Sequence, residues 1–343
     1  MGNNRLKWID EVKGIAMVSV VLCHVVSGLY ESNLFPESNT WLFAIRNLCN
    51  IFQMPLFCMA SGYLFSKAYI SAGGGVKRDR IKRQLLSLLS IYVLWCLLMG
   101  TFKILLSGKV NYEVRPIDLF LIWCKPIGVY WYLYVLIVLY LLFSFRQRIE
   151  LRDRTIFIIL LIISCCSTFF VENEGFFYVF RRIAYFGVFF FIGILLQEDN
   201  YNGGYQKISG VLTIMALILT FVFWSDEKEI YHIPIICLIT ALGFCFAIMF
   251  FFKNISDQLS PGILQIIGKN SLDIYLLHVF WAAGGRIFLR KYGFSNALIT
   301  TIILFLISLF VPIILGIIAR KLHVYDIFFK PYAFIEKIFV NKE

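Results

Sequence analysis

The sequence predicts an all-α integral membrane protein with about ten transmembrane helices, and three observations support this prediction. The first is composition: 60% of the 343 residues are hydrophobic and only 15% are charged, whereas ordinary soluble domains carry roughly 25% charged residues. The second is length, because many apolar runs reach the roughly 17–25 residues needed to cross a hydrocarbon core. The third is pattern: the apolar runs are continuous rather than alternating, which favours helices over barrel strands.

Ten apolar runs are expected to form these helices within a single membrane domain over residues 1–343. The predicted spans are 12–30, 41–66, 84–106, 129–145, 155–171, 176–197, 207–224, 232–252, 270–289 and 296–319. Residues 107–128 remain ambiguous, because their apolar stretches suit a re-entrant or interfacial segment. The N-terminus superficially resembles a signal peptide, but Asp10, Glu11 and Lys13 interrupt that pattern, so a retained first helix is expected.

The distribution of basic residues predicts the orientation. With the N-terminus in the cytoplasm, roughly two thirds of the 32 Lys and Arg residues fall in cytoplasmic segments, as the positive-inside rule requires. Both termini are then cytoplasmic. The net charge of +11 is therefore mostly a topology signal in a protein surrounded by membrane lipids, and no nucleic-acid partner is needed to explain it. The nine cysteines include no CxxC pair, so neither a disulfide framework nor a metal site is expected.

A histidine in the first span is the strongest candidate for a functional residue, because ionisable side chains at membrane depth are costly. His24 follows Lys13 by eleven residues, which is about 20° from three full turns, so both lie on one helix face about 16 Å apart. Asp10 is spaced to pair with Lys13 at i, i+3 and is too far along the helix to orient His24. The alternative is a histidine that is only hydrogen-bonded within the helix bundle, with Lys13 marking the cytoplasmic boundary.

Polar groups also accompany the second and third spans. Gln53 lies next to Pro55, which removes a helical hydrogen bond and marks either a packing kink or irregular backbone facing a cavity. Lys77, Arg80 and Arg83 precede the third predicted span. If that helix begins early, Arg80 and Arg83 are i, i+3 neighbours that can grip a phosphate group. A cluster of stop-transfer charges is the simpler interpretation of the same residues.

The ninth span opens with a polar break. Asn270 or Ser271 is placed to cap the helix that follows, and Asp273, Tyr275 and His278 come next within the span. His278 is a second titratable residue expected at membrane depth. Hydrogen bonding in the protein core explains it at least as well as catalysis does.

These segments together resemble the membrane-bound acyltransferase 3 family of bacterial sugar O-acyltransferases. The resemblance rests on an ordered set of motifs, namely RLKWIDEVKGIAMVSVVLCHV, FQMPLFCMASGYLF, RIKR, WYLYVLIVLY, FFFIGILL and GKNSLDIYLLH. Each motif is weak alone, but the set spans nearly the whole chain in order. The resemblance implies ten helices, and it suggests the stand-alone type without a fused esterase-like domain.

Roles for individual residues come from this resemblance. It implies that His24 is the catalytic histidine with Lys13 as its basic partner, and that Arg80 and Arg83 form the cytoplasmic pair linked to acyl-CoA. Lys77, one turn before them, would assist. Six further candidates fall in matching segments with less defined roles: Asp10, Gln53, Asn270, Ser271, Tyr275 and His278.

The implied reaction is O-acylation, most simply O-acetylation, in polysaccharide modification at a bacterial cytoplasmic (inner) membrane. The donor would be cytoplasmic acetyl-CoA or another acyl-CoA, whose thin pantetheine arm reaches toward His24 through a pore. The acceptor would be a hydroxyl of a cell-surface sugar, an exopolysaccharide or a lipid-linked glycan. Histidine suits general-base catalysis because its unperturbed pKa is about 6.5; a covalent acyl-histidine is the chemical alternative.

Two other classes of protein share some of these features. A multi-helix transporter or lipid-linked sugar flippase also needs many helices and buried polar residues, and it often carries two similar halves. We find no such halves in this sequence. A non-catalytic membrane scaffold is the third possibility, and it would tolerate substitution of His24.

Overall fold

The computed structural model describes residues 6–70, 77–108, 113–146, 152–167, 176–198, 203–225, 234–256, 258 and 262–340. Within these residues the α-helices are α1 (Lys7–Glu31), α2 (Asn39–Tyr69), α3 (Arg78–Leu105), α4 (Trp131–Ser144), α5 (Asp153–Ser167), α6 (Phe176–Glu198), α7 (Gly203–Val222), α8 (Pro234–Ile255), α9 (Ile263–Lys269), α10 (Ser271–Lys291), α11 (Ala297–Lys321), α12 (Tyr325–Phe329) and α13 (Pro331–Val340). Short 3-10 turns cover Pro36–Ser38, Pro116–Leu119 and Gly128–Tyr130.

The prediction of an all-α membrane protein is confirmed. Each of the ten predicted spans coincides with a helix, and seven helices among the described residues are long and apolar enough to cross a bilayer. Two shorter apolar helices cover Gly128–Ser144 and Lys207–Val222. Parts of two predicted spans, 168–171 and 232–233, lie outside the described residues. The side of the membrane that each terminus faces stays a prediction.

Three details differ from the predicted spans. Helix α3 begins at Arg78 rather than at residue 84, because its first turns are formed by Lys and Arg, which are good helix formers that tolerate exposure. The short helices α9, α12 and α13 were not predicted from the sequence. Helix α2 continues without interruption through Pro55, so the alternative of irregular backbone at that position is wrong, and the packing kink stays a prediction.

The chain divides into two compact units. The first consists of Met1–Ala60 and Asp199–Gly316, and the second of Ser61–Glu198 and Ile317–Glu343. The boundary falls inside α2. The expectation of a single domain over residues 1–343 stays a prediction.

The first unit is organised around α1, which packs against α8, α9 and α10. Gly14 of α1 lies against the backbone of Leu264, and Gly268 lies against the backbone of Asp10. A Cβ atom added at either glycine would collide with a backbone carbonyl oxygen. The earlier residue of α1, Asp10, meets the later residue of α9, Gly268, so α9 runs antiparallel to the first turns of α1. The two glycines permit this close approach.

The second unit is built on α3, α4 and α6, with an aromatic core. Four ring pairs among Phe65, Tyr140, Phe143 and Phe190 have centroid distances of 5.0–5.7 Å, and their arrangements are T-shaped, tilted or stacked. Gly62 lets α2 approach the backbone of Phe190. The ring contacts and the close approach at Gly62 therefore join α2, α4 and α6 within the unit.

The ambiguous segment before α4 contains only turns among its described residues. The Tyr92 hydroxyl of α3 donates to the Ile122 carbonyl at 2.5 Å, while Phe120 and Trp123 are exposed. The Arg115 N–H donates to the Asp118 carboxylate at 2.9 Å, and this hydrogen bond holds the pKa of that carboxyl below its ordinary value. A turn-rich piece with outward aromatic rings fits an interfacial segment, one of the interpretations left open by the sequence.

The C-terminal helices of the second unit fold back onto α3. The Trp95 indole N–H donates to the Phe328 carbonyl at 2.9 Å, and the Tyr332 N–H donates to the Ser90 hydroxyl at 3.2 Å. Near the start of α3, Arg83 forms an ion pair with Glu336 at 3.7 Å. Helix α13 therefore runs beside the turn of α3 that carries the paired arginines.

Candidate functional site

Two histidines from helices far apart in sequence meet inside the first unit. The rings of His24 on α1 and His278 on α10 have centroids 5.1 Å apart and are tilted by 50°. His278 is 0% exposed, whereas His24 is half-buried. Neither ring nitrogen of His24 has a hydrogen-bond partner among the described residues. His24 therefore has nitrogens available for a bound molecule, while His278 lies behind it in the core.

The hydrogen bonds of His278 define its tautomer when the ring is neutral. Its Nδ1 lies 3.0 Å from the Ile274 carbonyl oxygen and 2.9 Å from the Tyr275 carbonyl oxygen. Because carbonyl oxygens only accept, Nδ1 carries the proton and Nε2 presents a lone pair. Nε2 is buried and has no hydrogen-bond partner among the described residues. Such a group is costly unless a ligand or a neighbouring ring supplies a donor.

Lys13 and Asp10 lie at the start of α1, on the side from which an acyl donor is expected. Their side chains form an ion pair at 3.8 Å, which confirms the i, i+3 pairing expected from the sequence. Asp10 is buried. Its neighbour Glu11 is also buried, and the Glu11 Oε2 has no hydrogen-bond partner among the described residues. Lys13 is thus held by Asp10 rather than by His24, which lies about 16 Å further along the helix.

Gln53 belongs to a polar stripe on α2 that the sequence analysis did not identify in full. Its Nε2 donates to the Asn50 side-chain oxygen at 2.9 Å, and the Cys23 thiol donates to the same oxygen at 3.2 Å. Asn50 therefore links α2 to the residue next to His24. The sequence signal that could have identified Asn50 was its i, i+3 spacing from Gln53, because both are carboxamides inside an apolar span.

The polar break before α10 lies at the place predicted. Helix α9 ends at Lys269, and Asn270 occupies the N-cap position of α10. The Asn270 side chain does not cap α10, because its amide donates back to the Ile266 carbonyl at 2.9 Å. Ser271 and Asp273 are buried in the first turn of α10, where an acidic side chain is favoured by the helix dipole.

Tyr275 lies one turn before His278 on α10. Its ring centroid is 6.3 Å from that of His278, and its backbone carbonyl accepts the His278 Nδ1 proton. Tyr275 is buried. It thus helps to hold His278, both as a carbonyl acceptor and as a neighbouring ring.

The predicted arginine pair belongs to the second unit. Lys77 is the N-cap residue of α3, and Arg80 and Arg83 follow in its first two turns. The early start of α3 makes the two arginines i, i+3 neighbours, the condition stated from the sequence. All three side chains are exposed, and that of Arg83 is 72% exposed despite its ion pair with Glu336. Exposed guanidinium groups on adjacent turns suit a phosphate from solution.

Two charged residues near the far end of α1 were not identified from the sequence. Arg286 of α10 donates to the Gly28 carbonyl of α1, and Arg46 of α2 pairs with Glu31 at 3.5 Å. Arg286 lies within an apolar span, which is itself a signal of function. Its position near the predicted end of that span made it resemble a boundary residue.

No group of three or more metal-ligating side chains is found within the described residues.

Helical spans that bring His24 and His278 into contact define a multi-pass membrane protein with a polar site among its helices. A family model described as "Acyltransferase domain" matches residues 6–320, nearly the whole chain. The chain therefore belongs to the acyltransferase 3 family.

Two curated relatives are similar to this chain. A protein named "Nodulation protein NolL" from Sinorhizobium fredii is 29% identical over 158 residues, which is 45% of this chain and 40% of the relative. A protein of the same name from Mesorhizobium japonicum is 25% identical over 239 residues, which is 67% of this chain and 59% of the relative. The matches thus cover about half the length of these relatives. No solved structure matches the chain significantly.

Proposed function

We propose that the protein transfers an acyl group, most simply acetyl, from acyl-CoA to a hydroxyl of a sugar, either in a cell-surface polysaccharide or in a lipid-linked glycan. The observation that carries the proposal is the contact between His24 and His278 in a chain that belongs to an acyltransferase family. The expected location is the bacterial inner membrane.

His24 acts as the general base in this proposal. One of its ring nitrogens takes the proton from the sugar hydroxyl while the hydroxyl oxygen attacks the thioester carbonyl. The carbon–oxygen bond forms and the carbon–sulfur bond breaks. The sulfur leaves as a thiolate and receives the proton back from the His24 imidazolium, so no co-reactant is consumed. General-base catalysis of this kind contributes about 10²- to 10⁴-fold in rate.

His278 is the positioning residue for His24. Its Nδ1 proton is committed to two backbone carbonyls, so only the Nε2 lone pair remains for a neighbour. An N–H of His24 that donates to this lone pair would satisfy the buried Nε2 and leave the other nitrogen of His24 unprotonated. The imidazolium formed during transfer would be stabilised by the same contact. This is the task that the carboxylate performs in hydrolase triads.

The basic residues have separate roles in the proposal. Arg80 and Arg83, with Lys77 beside them, bind phosphate groups of the acyl-CoA donor, which is supported by their exposure and by their i, i+3 spacing on α3. Lys13 supplies positive charge on the His24 face of α1 at its cytoplasmic end. Asp10 holds Lys13 in place through their ion pair.

The test uses membranes that contain the full-length protein, labelled acetyl-CoA and glycan from the native host. We expect label in a glycan product with the wild type and with His323→Asn, a matched histidine variant. His323 is exposed and has a positive φ of 58°, which asparagine tolerates. His24→Ala should abolish labelling. A folded His24→Ala protein that labels glycan at the normal rate would overturn the assignment of the base.

A transporter or flippase is the competing function, and it has a distinct signature. It would move a lipid-linked sugar across the membrane without releasing free CoA. Measuring free thiol during the same reaction separates the two functions, because acyl transfer releases one thiol for each labelled product. Sugar movement without thiol release would support the transporter.

A further inference from the structure

Charged side chains from three helices gather at the C-terminal end of α1. Arg286 of α10 donates to the Gly28 carbonyl, and Arg46 of α2 lies 3.5 Å from Glu31. The Arg46 guanidinium also stands over the Tyr30 ring, 5.6 Å from its centroid. Glu31 and Arg286 are close enough to interact electrostatically. Arg46, Arg286 and Glu31 therefore form one electrostatic cluster, which we call the α1-end cluster.

The cluster adjoins the histidine pair. Gly28 follows His24 by four residues, so it lies about 6 Å further along α1 and about 40° around it. The histidines pair at positions 24 and 278, and the next contact pairs Gly28 with Arg286, so α1 and α10 run in the same direction. This is the arrangement that the predicted topology requires for the first and ninth spans. Arg286 therefore reaches α1 one turn beyond His24.

Gly28 permits the approach of Arg286. A Cβ atom added at Gly28 would overlap with the Arg286 guanidinium group. Because the overlapping atom is the end of a flexible side chain, an alanine at this position displaces the guanidinium rather than the backbone. The contact between Arg286 and α1 thus depends on a glycine, and a single methyl group can perturb it.

The charge of this region is positive on balance. Arg290 and Lys291 lie in the last turn of α10, and Arg290 interacts electrostatically with Arg286. Glu31 is the acidic member of the α1-end cluster. In the predicted orientation this is the outer end of α10, where the positive-inside rule disfavours basic residues. The excess positive charge is therefore not explained by topology.

A purely structural explanation accounts for only part of the cluster. Arg286 satisfies a carbonyl in the last turn of α1, which is a common role for a basic side chain. That carbonyl also accepts from the Ser32 N–H at 3.2 Å, so it has a hydrogen-bond partner besides Arg286. Arg46 lies on a different helix, where it pairs with the Glu31 carboxylate and stands over the Tyr30 ring. Helix capping thus accounts for the contact of Arg286 with Gly28, and it does not account for the position of Arg46.

We infer that Arg286 and Arg46 form a binding subsite for an anionic group on the acyl acceptor, which is then a saccharide that carries phosphate or carboxylate. The inference rests on the proposed function, because it specifies the acceptor of the same reaction. An anionic group held at the α1-end cluster would bring a nearby sugar hydroxyl toward His24, one turn away. Guanidinium groups recognise both phosphate and carboxylate through paired hydrogen bonds.

The first arm of the test determines the charge of the acceptor. Membranes of the native host that contain the full-length protein are incubated with labelled acetyl-CoA, and the labelled product is applied to an anion exchanger. The product should be retained. Release after mild acid hydrolysis indicates a phosphate-linked acceptor, and release after carbodiimide reduction indicates a carboxylate. A neutral labelled product contradicts this inference alone, whereas no labelled product contradicts the proposed function.

The second arm tests the residues. Gly28→Ala and Arg46→Gln should each raise the KM for the acceptor roughly tenfold, the loss expected for one charge-assisted contact, and change kcat by less than about twofold. Both variants should also weaken the dependence of this KM on salt, because fewer charges meet the acceptor. Arg152→Gln removes the same charge from an exposed position in the second unit and should match the wild type. Unchanged acceptor KM in folded Gly28→Ala and Arg46→Gln proteins would overturn the subsite.

Discussion

The two units present their candidate functional groups in opposite ways. In the first unit, His278 is 0% exposed and its Nδ1 is fixed by two backbone carbonyls. In the second unit, Arg80 and Arg83 are exposed on the first turns of α3, and the recorded ion pair of Arg83 is a surface contact with Glu336. One unit holds its groups rigidly in the core, and the other exposes them at a helix end.

This difference corresponds to two kinds of chemistry. Proton transfer needs one tautomer and one orientation, which packing and backbone hydrogen bonds provide. Capture of a soluble polyanion needs charge that solvent can reach, and flexible exposed side chains suffice for it. Substitutions of the two histidines should therefore change kcat, and substitutions of Arg80 and Arg83 should change the KM for the donor.

Among the substitutions that test the difference between the two units, His278→Asn should have the largest effect on the rate of transfer. Asparagine can keep a donor near the position of Nδ1 but lacks the Nε2 acceptor, so His24 loses its partner. We expect kcat to fall roughly 10- to 100-fold, as for other residues that orient a reacting group, and the acid limb of the kcat–pH profile to move. His278→Gln, which places its amide near Nε2, serves as the comparison.

A merely structural role of His278 would give a different result. The amount of folded protein would then fall while the pH profile of the remaining activity kept its shape. An unchanged profile in folded His278→Asn protein would separate the two histidines functionally.

The arginine pair should produce a smaller effect that is confined to donor binding. The double variant Arg80→Gln, Arg83→Gln should raise the KM for acetyl-CoA roughly fivefold to tenfold, since each exposed charged contact contributes up to about 1 kcal/mol. Initial rates at several donor concentrations measure this change. Lys82→Gln, an exposed change between the two arginines on another face of α3, is the matched control. A lower kcat with unchanged donor KM would contradict the division between the units.

The smallest effect is expected at the C-terminal helix. Glu336 pairs with Arg83 and competes with a phosphate for it, so Glu336→Gln should lower the donor KM by about twofold, the scale of an exposed ion pair. Asp326→Asn breaks a different pair of the same segment, Lys337–Asp326 at 2.5 Å, and should leave the donor KM unchanged. Equal effects of the two substitutions would show that Glu336 acts through the fold of the segment.

The sequence predicted the long helices well because their apolar length is a strong local signal. His24 and His278 were both identified as ionisable residues within apolar spans, and the early start of α3 was foreseen as a condition for the arginine pair. The short helix α9 was missed, because seven residues beside a glycine carry little periodicity. Helices α12 and α13 lie beyond the last apolar run and are held by contacts with α3.

The candidate site was predicted residue by residue but not as an arrangement. No sequence pattern states that His24 and His278 touch, since their contact depends on how α1 and α10 pack. The sequence excluded Asp10 as the residue that orients His24 and identified no other residue for that role. Arg286 and Arg46 were missed for the same reason, because each becomes notable only when both reach the end of α1.

The most direct test of the central claim is the single-turnover rate of acyl transfer at saturating labelled acetyl-CoA in wild type and His24→Asn. If His24 is the base, the variant should bind the donor normally and transfer its acyl group about 10²- to 10⁴-fold more slowly. Transfer by folded His24→Asn at the wild-type rate, once the donor is saturating, would contradict the account.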